Sequence, residues 1–519
     1  MLSSFASSRD ATPTAYLDEG TFIGVTDGRT DSFLGVPYAK PPVGALRFAV
    51  PQAHDQYSGS YEATAFGFSC PGSGTGAPNI TDEFQALLDS VLMEQTAIDE
   101  DCLTLNVIVP AGTQSGANLP VAVVRGFYYG GSSQFNGSTI VERSIELGEP
   151  IVFVSINYRL SAYGFLASQE IKDAGVTNLG LRDQREALKW VQNYVHAFGG
   201  DPAKVIIWGE SSGALSVCFQ MITNGGNPEG LFHGAFIESG APLPLGNYTQ
   251  GQASYDALVN SANCTAASST LECLRDLSFE ALTQAISITS LQGLTPLVDF
   301  DFLAGSPANL TAQGIIANIP FVNGNCDDEG TEFSLNTGIA NESDVVLALQ
   351  EGYLPGAPTS ALDQVLSLYP DDPAAGSPFG TGDENEITPE FKRISAILGD
   401  LDFQGPRRSM MQRLAGRQPV WSFLSKRFKY LPTIGSGHET DIAIVYGPGD
   451  LTDYVINFVN HLNPNNKTGI YWPQYTVDEP QLLTLWDGSE PRNITNDTYR
   501  AEGMSLLIQL GGEFPVASI

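Results

Sequence analysis

The sequence predicts an α/β fold in which helices cover a large, mostly parallel sheet. Apolar runs of strand length are interleaved with helix-like segments in the first half of the chain, an order that favours parallel pairing. These runs are apolar throughout, as is typical of strands buried on both faces. The strand-like runs are LTLNVIVP (103–110), VAVV (121–124), IVFVSINYR (151–159) and KVIIWG (204–209), and a helical segment, RDQREALKWVQNYVHAF (182–198), precedes the last.

One large domain is expected over residues 16–519, with residues 1–15 as an N-terminal segment outside the fold. No internal repeat and no long low-complexity linker divides the chain, and its Pro/Gly/Ser-rich patches are typical of surface loops. The second half is richer in helix-like segments, which we expect to cap the sheet. Examples are SDVVLALQEGY (343–353) and RISAILGDLDFQGPRRSMMQRLAG (393–416).

Charge and hydropathy exclude several classes of function. The 58 acidic and 25 basic residues give a formal net charge of −33, which repels phosphate backbones, so we expect no nucleic-acid partner. No apolar stretch approaches the ~20 residues that span a bilayer, so we expect no integral membrane segment. No histidine pair has ligand spacing such as H-E-x-x-H, which argues against a metallohydrolase. We expect neither a metal nor another cofactor.

Cysteines and glycosylation sequons point to an oxidising compartment. The chain has six cysteines, some at loop-like spacing. The N-terminal residues MLSSFASSRDATPTAY contain neither a basic n-region nor an apolar h-region, so no signal peptide is visible. We expect a secreted glycoprotein whose signal segment is missing from this sequence; an intracellular protein with unused sequons is the alternative. The nine N-x-[ST] sequons lie at Asn79, Asn136, Asn247, Asn263, Asn309, Asn341, Asn466, Asn493 and Asn496.

A candidate nucleophile lies in the segment GESSG (209–213), which fits the pattern G-x-S-x-G. The strand-like KVIIW precedes it and the helix-like ALSVCFQMI follows, and only Ser211 occupies the central position. A sharp strand-to-helix turn forces the nucleophile into a strained conformation, and the flanking glycines relieve the crowding. The hydroxyl would then stand clear of the sheet, at the positive end of the helix dipole.

A serine nucleophile needs a base and an acid that orients it. In a hydrolase of this order both follow the serine, and of the five histidines His438 and His461 lie far enough downstream. The segment SGHETD (436–441) is a loop suited to present an imidazole. Three consecutive acids, at 327–329, follow a buried-type strand at the edge where α/β folds place their sites. The remaining histidines are expected to be structural: His54, His196 and His233.

Several long motifs together resemble the type-B carboxylesterase and lipase family. This family of α/β-hydrolases includes the cholinesterases and fungal lipases and esterases of the Candida rugosa type. The similarity covers nearly the whole chain. It rests on FLGVPYAKPPVGALRF (33–48), EDCLTLNV (100–107), NYRLSAYGFL (157–166), NLGLRDQREALKWVQNYVHAFGGDPAKVIIWGESSGA (178–214), NGNCDDEGT (323–331), GHETDIAIVYG (437–447) and WPQY (472–475).

The resemblance implies an α/β-hydrolase fold and a role for each candidate residue. The family pattern G-E-S-x-G implies Ser211 as nucleophile, D-E-G implies Glu329 as the acid, and the H-G-x-[DE] region implies His438 as the base. The expected reaction is hydrolysis of small-molecule or lipid carboxylic esters through an acyl-enzyme, with contact to lipid interfaces.

The resemblance also implies disulfides that pair Cys70 with Cys102 and Cys264 with Cys273. In fungal lipases of this family the loop matching residues 70–102 is a lid. Here it contains FQALLDSVLM (84–93), whose apolar residues at 84, 87, 88, 91 and 92 form a helical stripe. A stripe packed on the body of the protein is the alternative. No tryptophan lies between the first two cysteines, which argues against a cholinesterase.

The oxyanion stretch departs from the family pattern. In LPVAVVRGFYYGGSSQF (119–135) three additional residues precede the glycine pair, and two serines follow it. We expect the backbone N–H groups of Gly131, Ser132 and Ser212 to be the oxyanion donors. Loss of one donor would cost about 10²–10³ in kcat. A catalytically impaired family member that acts as a binding or adhesion protein is therefore the alternative function.

Overall fold

The computed structural model describes residues 12–72, 80–125, 131–289, 294–335, 337–447, 449–466 and 469–515. Its strands are β1 (Thr14–Leu17), β2 (Glu19–Ile23), β3 (Val25–Thr26), β4 (Thr30–Pro37), β5 (Ser58–Glu62), β6 (Thr104–Pro110), β7 (Leu119–Arg125), β8 (Val152–Ile156), β9 (Gly200–Glu210), β10 (Gly234–Glu238), β11 (Phe321–Cys326), β12 (Val420–Lys426), β13 (Gln481–Trp486) and β14 (Arg492–Asn496).

An eleven-stranded sheet in the order β14-β13-β12-β11-β10-β9-β7-β8-β6-β4-β3 dominates the described part of the chain. Its central strands, from β8 to β13, pair in parallel, while the pairs at both edges are antiparallel. A second, three-stranded sheet has the order β1-β2-β5. The carboxyl ends of the central strands therefore meet at one edge, where sites of α/β proteins form.

Side chains alternate between two apolar cores, one on each face of the large sheet. In β7, Val121 and Val123 belong to the first core, while Ala122 and Val124 belong to the second. This period of two follows from the pleat of a strand, and it explains why the predicted runs are apolar at every position.

Helices cover both faces of the sheet. Their bounds are α1 (Asp82–Asp89), α2 (Ser138–Leu147), α3 (Ser161–Phe165), α4 (Gln169–Asp173), α5 (Leu179–Tyr194), α6 (Ser212–Gly226), α7 (Gln252–Ser261), α8 (Thr270–Asp276), α9 (Phe279–Ser287), α10 (Pro307–Ala312), α11 (Thr331–Ser334), α12 (Glu342–Ala348), α13 (Thr359–Leu368), α14 (Phe391–Gly399), α15 (Gly405–Leu414), α16 (Ile442–Tyr446), α17 (Asp450–His461) and α18 (Ala501–Glu513). Within the described ranges, no helix is both long and apolar enough to span a bilayer.

Two boundaries differ from the sequence-based expectation. β1 begins at Thr14, and Ala15 is buried and pairs with Phe22, so the fold includes two residues before the expected boundary at residue 16. β8 ends at Ile156, three residues earlier than the apolar run, because the next residues leave the sheet. Arg159 ends in a buried ion pair with Asp183, which lies on α5.

Both implied disulfides are present, with Cys70 bonded to Cys102 and Cys264 to Cys273. The larger one closes the loop that carries α1. The apolar stripe of α1 packs on the body of the protein, since Phe84 and Leu88 are buried against Leu431 and Ile434. Movement of this loop as a lid stays a prediction.

Candidate active site

The turn between β9 and α6 holds Ser211 in a strained backbone conformation. Its φ of 53° and ψ of −124° lie in a region that a residue with a side chain rarely adopts, while its N–H donates to the Glu238 carbonyl over 2.9 Å. A Cβ on Gly209 would approach the Gly213 carbonyl carbon to 2.4 Å, so the turn requires glycine there. The Ser211 side chain is partly exposed at the edge of the sheet.

Three side chains form one chain of hydrogen bonds at this turn. His438 Nε2 lies 2.7 Å from Ser211 Oγ, and His438 Nδ1 lies 2.6 Å from Glu329 Oε2. The Glu329 carboxylate accepts a hydrogen bond from the Nδ1–H group, so in the neutral imidazole Nε2 is the ring nitrogen that can accept a hydrogen bond from the serine hydroxyl. The other oxygen of Glu329 accepts the Cys326 N–H over 2.8 Å, and both Glu329 and His438 are buried.

Two loops bring the acid and the base together. Glu329 follows β11 directly, while His438 lies in the loop after β12. An isolated parallel bridge joins Asp328 to Gly437, and the Asp328 N–H donates to the Ser436 carbonyl over 2.9 Å. This pairing sets the register of the two loops, so that the residue after Asp328 faces the residue after Gly437.

The neighbouring acids and the other histidines make contacts outside the hydrogen-bonded chain of Ser211, His438 and Glu329. Asp327 and Asp328 both pair with Lys429, with N–O distances of 2.6 and 2.5 Å. His461, the second candidate base, lies on the surface with its Nε2 3.2 Å from Glu149. Of the three consecutive acids, Glu329 is thus the one that contacts His438. The other three histidines lie elsewhere: His54 stacks on Tyr57, His196 is exposed and His233 lies beside β10.

A cluster of buried carboxyl groups lies behind the hydrogen-bonded residues. Neither side-chain oxygen of Glu210 or Asp441 has a hydrogen-bond partner among the described residues, and Glu238 accepts a bond from Trp208 through one oxygen only. Burial, reinforced by Glu439 and Asp441, raises the pKa of Glu210 well above its usual value. Burial and the charge of Glu329 raise the pKa of Asp441 to about 7. The neutral forms of these groups are therefore favoured.

The histidine is a stronger base than a free imidazole. Burial lowers the pKa of His438, but the hydrogen bond and the charge of Glu329 outweigh that effect and raise the pKa to about 9. Glu332 and Glu439 add to the rise.

Aromatic rings line one side of His438. The ring centroid of Phe403 lies 4.8 Å from the imidazole and that of Phe333 lies 5.2 Å from it, and the two phenyl rings stack on each other. Phe403 belongs to a π-helical turn, Asp400–Gln404, between α14 and α15, and Phe333 on α11 is 42% exposed. The site therefore presents an apolar wall to solvent.

The expected oxyanion donors differ in availability. The Ser132 N–H donates to Asn157 Oδ1 over 2.8 Å, so in this arrangement it is not free to receive an oxyanion, in contrast to the prediction. The Gly131 N–H makes a longer bond of 3.3 Å to Gln134. The Ser212 N–H, at the start of α6, has no partner among the described residues. Residues 126–130, which hold most of the lengthened loop, lie outside the described residues.

The sequence matches the model of the carboxylesterase family over residues 12–502. The chain belongs to the carboxylesterase family. Its fold is the α/β-hydrolase fold, and both the predicted fold class and the family resemblance are confirmed. The crystal structure of Aspergillus niger EstA covers 98% of this carboxylesterase-family chain, and 100% of EstA is covered, with a TM-score of 0.83 and 27% sequence identity.

Fungal lipases are among the similar members of the family. Secreted lipase 1 of Botryotinia fuckeliana is 40% identical over 92% of this chain and 90% of its own length. Lipase 4 of Diutina rugosa is 39% identical over 90% of each chain, and Lipase 2 of Geotrichum candidum is 38% identical over 93% and 92%. These similarities support carboxylic ester hydrolysis.

Sequence reasoning missed several residues of the site. The sequence does not predict the apolar wall formed by Phe333 and Phe403, because these residues lie seventy positions apart on separate helical elements. Asn157 was noticed only as part of a motif, although its side chain bonds both Ser132 and the Phe68 carbonyl. Its position directly after a buried strand was the available signal.

Proposed function

We propose that the protein is a secreted serine hydrolase that cleaves carboxylic esters through an acyl-enzyme. The observation that carries this proposal is the continuous hydrogen-bonded chain from Ser211 through His438 to Glu329 at a strained strand-to-helix turn. In this function Ser211 is the nucleophile, His438 the general base and Glu329 the acid that orients the base. The secreted state is proposed because similar lipases are named as secreted.

In the proposed reaction, one proton moves between Ser211, His438 and the leaving group. As Ser211 Oγ bonds to the ester carbonyl carbon, its proton moves to His438 Nε2, and the resulting imidazolium is stabilised by Glu329. His438 then gives this proton to the leaving alkoxide, which departs as the alcohol. Water attacks the acyl-serine with His438 again as base, and the acid product leaves with Ser211 restored.

The negative charge of the tetrahedral intermediate needs N–H donors. We assign the Ser212 N–H as the first donor, because it lies at the helix N-terminus directly after the nucleophile. The Gly131 N–H is the second, since its 3.3 Å bond to Gln134 is long enough to be exchanged without a large cost. Use of the Ser132 N–H would require its 2.8 Å bond to Asn157 to break.

The substrate class follows from the apolar wall and the surrounding acids. Phe333 and Phe403 provide apolar surface for an acyl chain or an alcohol group beside the base. The negative charge of Glu329 beside His438 and the net charge of −33 disfavour anionic substrates, so uncharged esters are favoured. The lid-like loop of residues 70–102 and the similarity to lipases extend this class to lipid esters at an interface.

Hydrolysis of short and long p-nitrophenyl esters tests the proposal. Ser211→Ala should abolish hydrolysis with folding retained, since it removes the nucleophile alone. Ser212→Ala is the matched control: it keeps the backbone N–H and should retain most of the activity, because the Ser212 hydroxyl has no partner among the described residues. Turnover that survives Ser211→Ala would overturn the assignment of the nucleophile.

The alternative is an impaired member of the family that acts as a binding or adhesion protein. The observation that favours it is the engaged Ser132 N–H next to a lengthened loop. Equal and negligible rates for the unaltered protein and Ser211→Ala would support this alternative. Deletion of three residues from 125–129 would then restore hydrolysis only if the loop were the cause.

A further inference from the structure

A carboxylate stands beside the catalytic base where the family pattern has glycine. The pattern H-G-x-[DE] places glycine directly after the histidine, whereas this chain reads His438-Glu439-Thr440-Asp441. Glu439 has a φ of 66°, in the left-handed region that favours glycine. A side chain held in that conformation is strained, and such strained residues cluster at functional sites.

Glu439 completes a compact set of three potential metal ligands. One oxygen of Glu439, one oxygen of Glu210 and one ring nitrogen of His438 all lie within 4.8 Å of one another. Glu210 Oε1 is 3.7 Å from His438 Nε2, the nitrogen that also contacts Ser211. Within the described ranges, no other group of His, Cys, Asp and Glu side chains has this compactness.

The burial of Glu210 is a second, independent indication of a cation site. Glu210 is 4% exposed, and neither of its oxygens has a hydrogen-bond partner among the described residues. A carboxyl group buried in this way loses its hydration without a replacement unless it binds a proton or a cation. Its oxygen faces the same nitrogen of His438, so a cation bound between them would give Glu210 its partner.

We propose that Glu210, His438 and Glu439 bind a divalent transition-metal ion such as Zn²⁺, and that the bound ion reversibly switches off ester hydrolysis. One imidazole and two carboxylates form a ligand set that Zn²⁺ accepts, and three protein ligands leave a fourth position for water or the Ser211 hydroxyl. The switching part rests on the proposed function, because the ion would take the Nε2 lone pair that otherwise accepts the serine proton. Zn²⁺ here is an inhibitor, distinct from a cofactor.

The surroundings favour such an ion. Glu439 and Ser211 are partly exposed, so an ion can reach the site from solvent. Glu329 adds negative charge nearby, and the whole chain carries −33, which attracts cations. Mg²⁺ and Ca²⁺ prefer oxygen ligands alone, so they should inhibit far less than Zn²⁺.

Zinc titration of hydrolysis tests the inference. The protein is first treated with EDTA, and hydrolysis of a short p-nitrophenyl ester is followed as ZnCl₂ is added at fixed pH. We expect inhibition that excess EDTA reverses. Glu439→Gln and Glu210→Gln, each measured against its own zinc-free rate, should raise the inhibition constant at least about tenfold, because each removes a charged ligand.

The surface pair of His461 and Glu149 supplies a matched control. These side chains also bring an imidazole within 3.2 Å of a carboxylate, but far from the nucleophile in sequence and on the surface. Glu149→Gln should leave the zinc inhibition constant unchanged. Equal zinc inhibition of the unaltered protein and Glu439→Gln would overturn the inference, and Glu439→Gln keeps this test available if Glu210→Gln fails to fold.

Direct binding separates this inference from the proposed function. In Ser211→Ala, competition with a chromophoric zinc chelator should reveal one tight ion per chain, and Ser211→Ala/Glu439→Gln should lose it. This measurement needs no hydrolysis, so it stands even if the protein cleaves no ester. Active protein whose Ser211→Ala variant binds no zinc would refute the metal site and leave the triad intact.

Discussion

Removing the charge of Glu439 should move the pH profile of hydrolysis towards acid. The proposed reaction needs neutral His438. Glu329, with a contribution from Glu439, raises the pKa of His438 to about 9, so kcat/KM should rise as the pH increases through about 9. Glu439→Gln deletes one negative charge while it keeps the size and the backbone conformation. The imidazolium then loses a stabilising neighbour, and the pKa of His438 should fall.

The separation of the groups sets the size of this effect. The two groups lie within 4.8 Å of each other, and at that upper limit two unit charges interact by about 0.9 kcal/mol in bulk water and about 3.5 kcal/mol at an effective dielectric constant of about 20. These energies correspond to a pKa decrease of about 0.6 and about 2.5. Because Glu439 is partly exposed, solvent screens it, and we expect a decrease of about 1.

The assay is kcat/KM against pH on an uncharged p-nitrophenyl ester, with EDTA present so that metal binding plays no part. Glu149→Gln, the same chemical change on the surface, should leave the profile where it is. Identical apparent pKa values for the unaltered protein and Glu439→Gln would refute the electrostatic reasoning. An apparent pKa near 6.5 in the unaltered protein would refute the raised pKa itself.

The remaining predictions concern the fold. Gly209→Ala should destroy activity or folding, because its Cβ would lie 2.4 Å from the backbone of Gly213. Gly512→Ala has open space around it and should preserve both. Hydrolysis rates and circular dichroism spectra of the two variants check this difference. Asp497→Asn should lower the free energy of unfolding by about 3–5 kcal/mol, since it removes the carboxylate that neutralises the charge of the fully buried Arg407. The two arginines that bind Asp497 outweigh its burial and lower its pKa to about 2, so its contribution is present above about pH 4 and is lost as the pH falls towards 2 in urea titrations. Removal of the larger disulfide, which joins residues 32 apart, should cost about 3.7 kcal/mol in the same titrations.

Much of the fold follows from local pattern. The strands β6, β7 and β9 overlap the predicted apolar runs, because burial on both faces is visible in short segments. The turn at Ser211 is fixed by its glycines, because backbone crowding is a local property as well. The end of β8 could not be read in the same way. The predicted run continues past Ile156 to Arg159, but Asn157 and Arg159 lie outside the strand and bond to partners far away in sequence.

The sequence likewise predicts part of the candidate site but not the contacts that the fold creates. Three consecutive acids offered no local reason to prefer Glu329, and only the family resemblance selected it; the bridge between Asp328 and Gly437 supplies the physical reason in this chain. The availability of oxyanion donors depends on tertiary hydrogen bonds such as that from Ser132 to Asn157, which no local pattern reports. Electrostatic coupling around His438 likewise arises from residues that only the fold brings together.

Glu439 combines two unfavourable features in one residue, and this combination connects the hydrolytic site with the metal site. Its backbone occupies a conformation suited to glycine. Its carboxylate has a raised pKa because it is partly buried and because the negative charge of Glu329 lies nearby. Glycine would remove both costs, as the family pattern indicates. A protonated His438 offsets the charge in the resting enzyme, and a bound cation would offset it more completely. The same residue thus ties the strength of the catalytic base to the ions available outside the site.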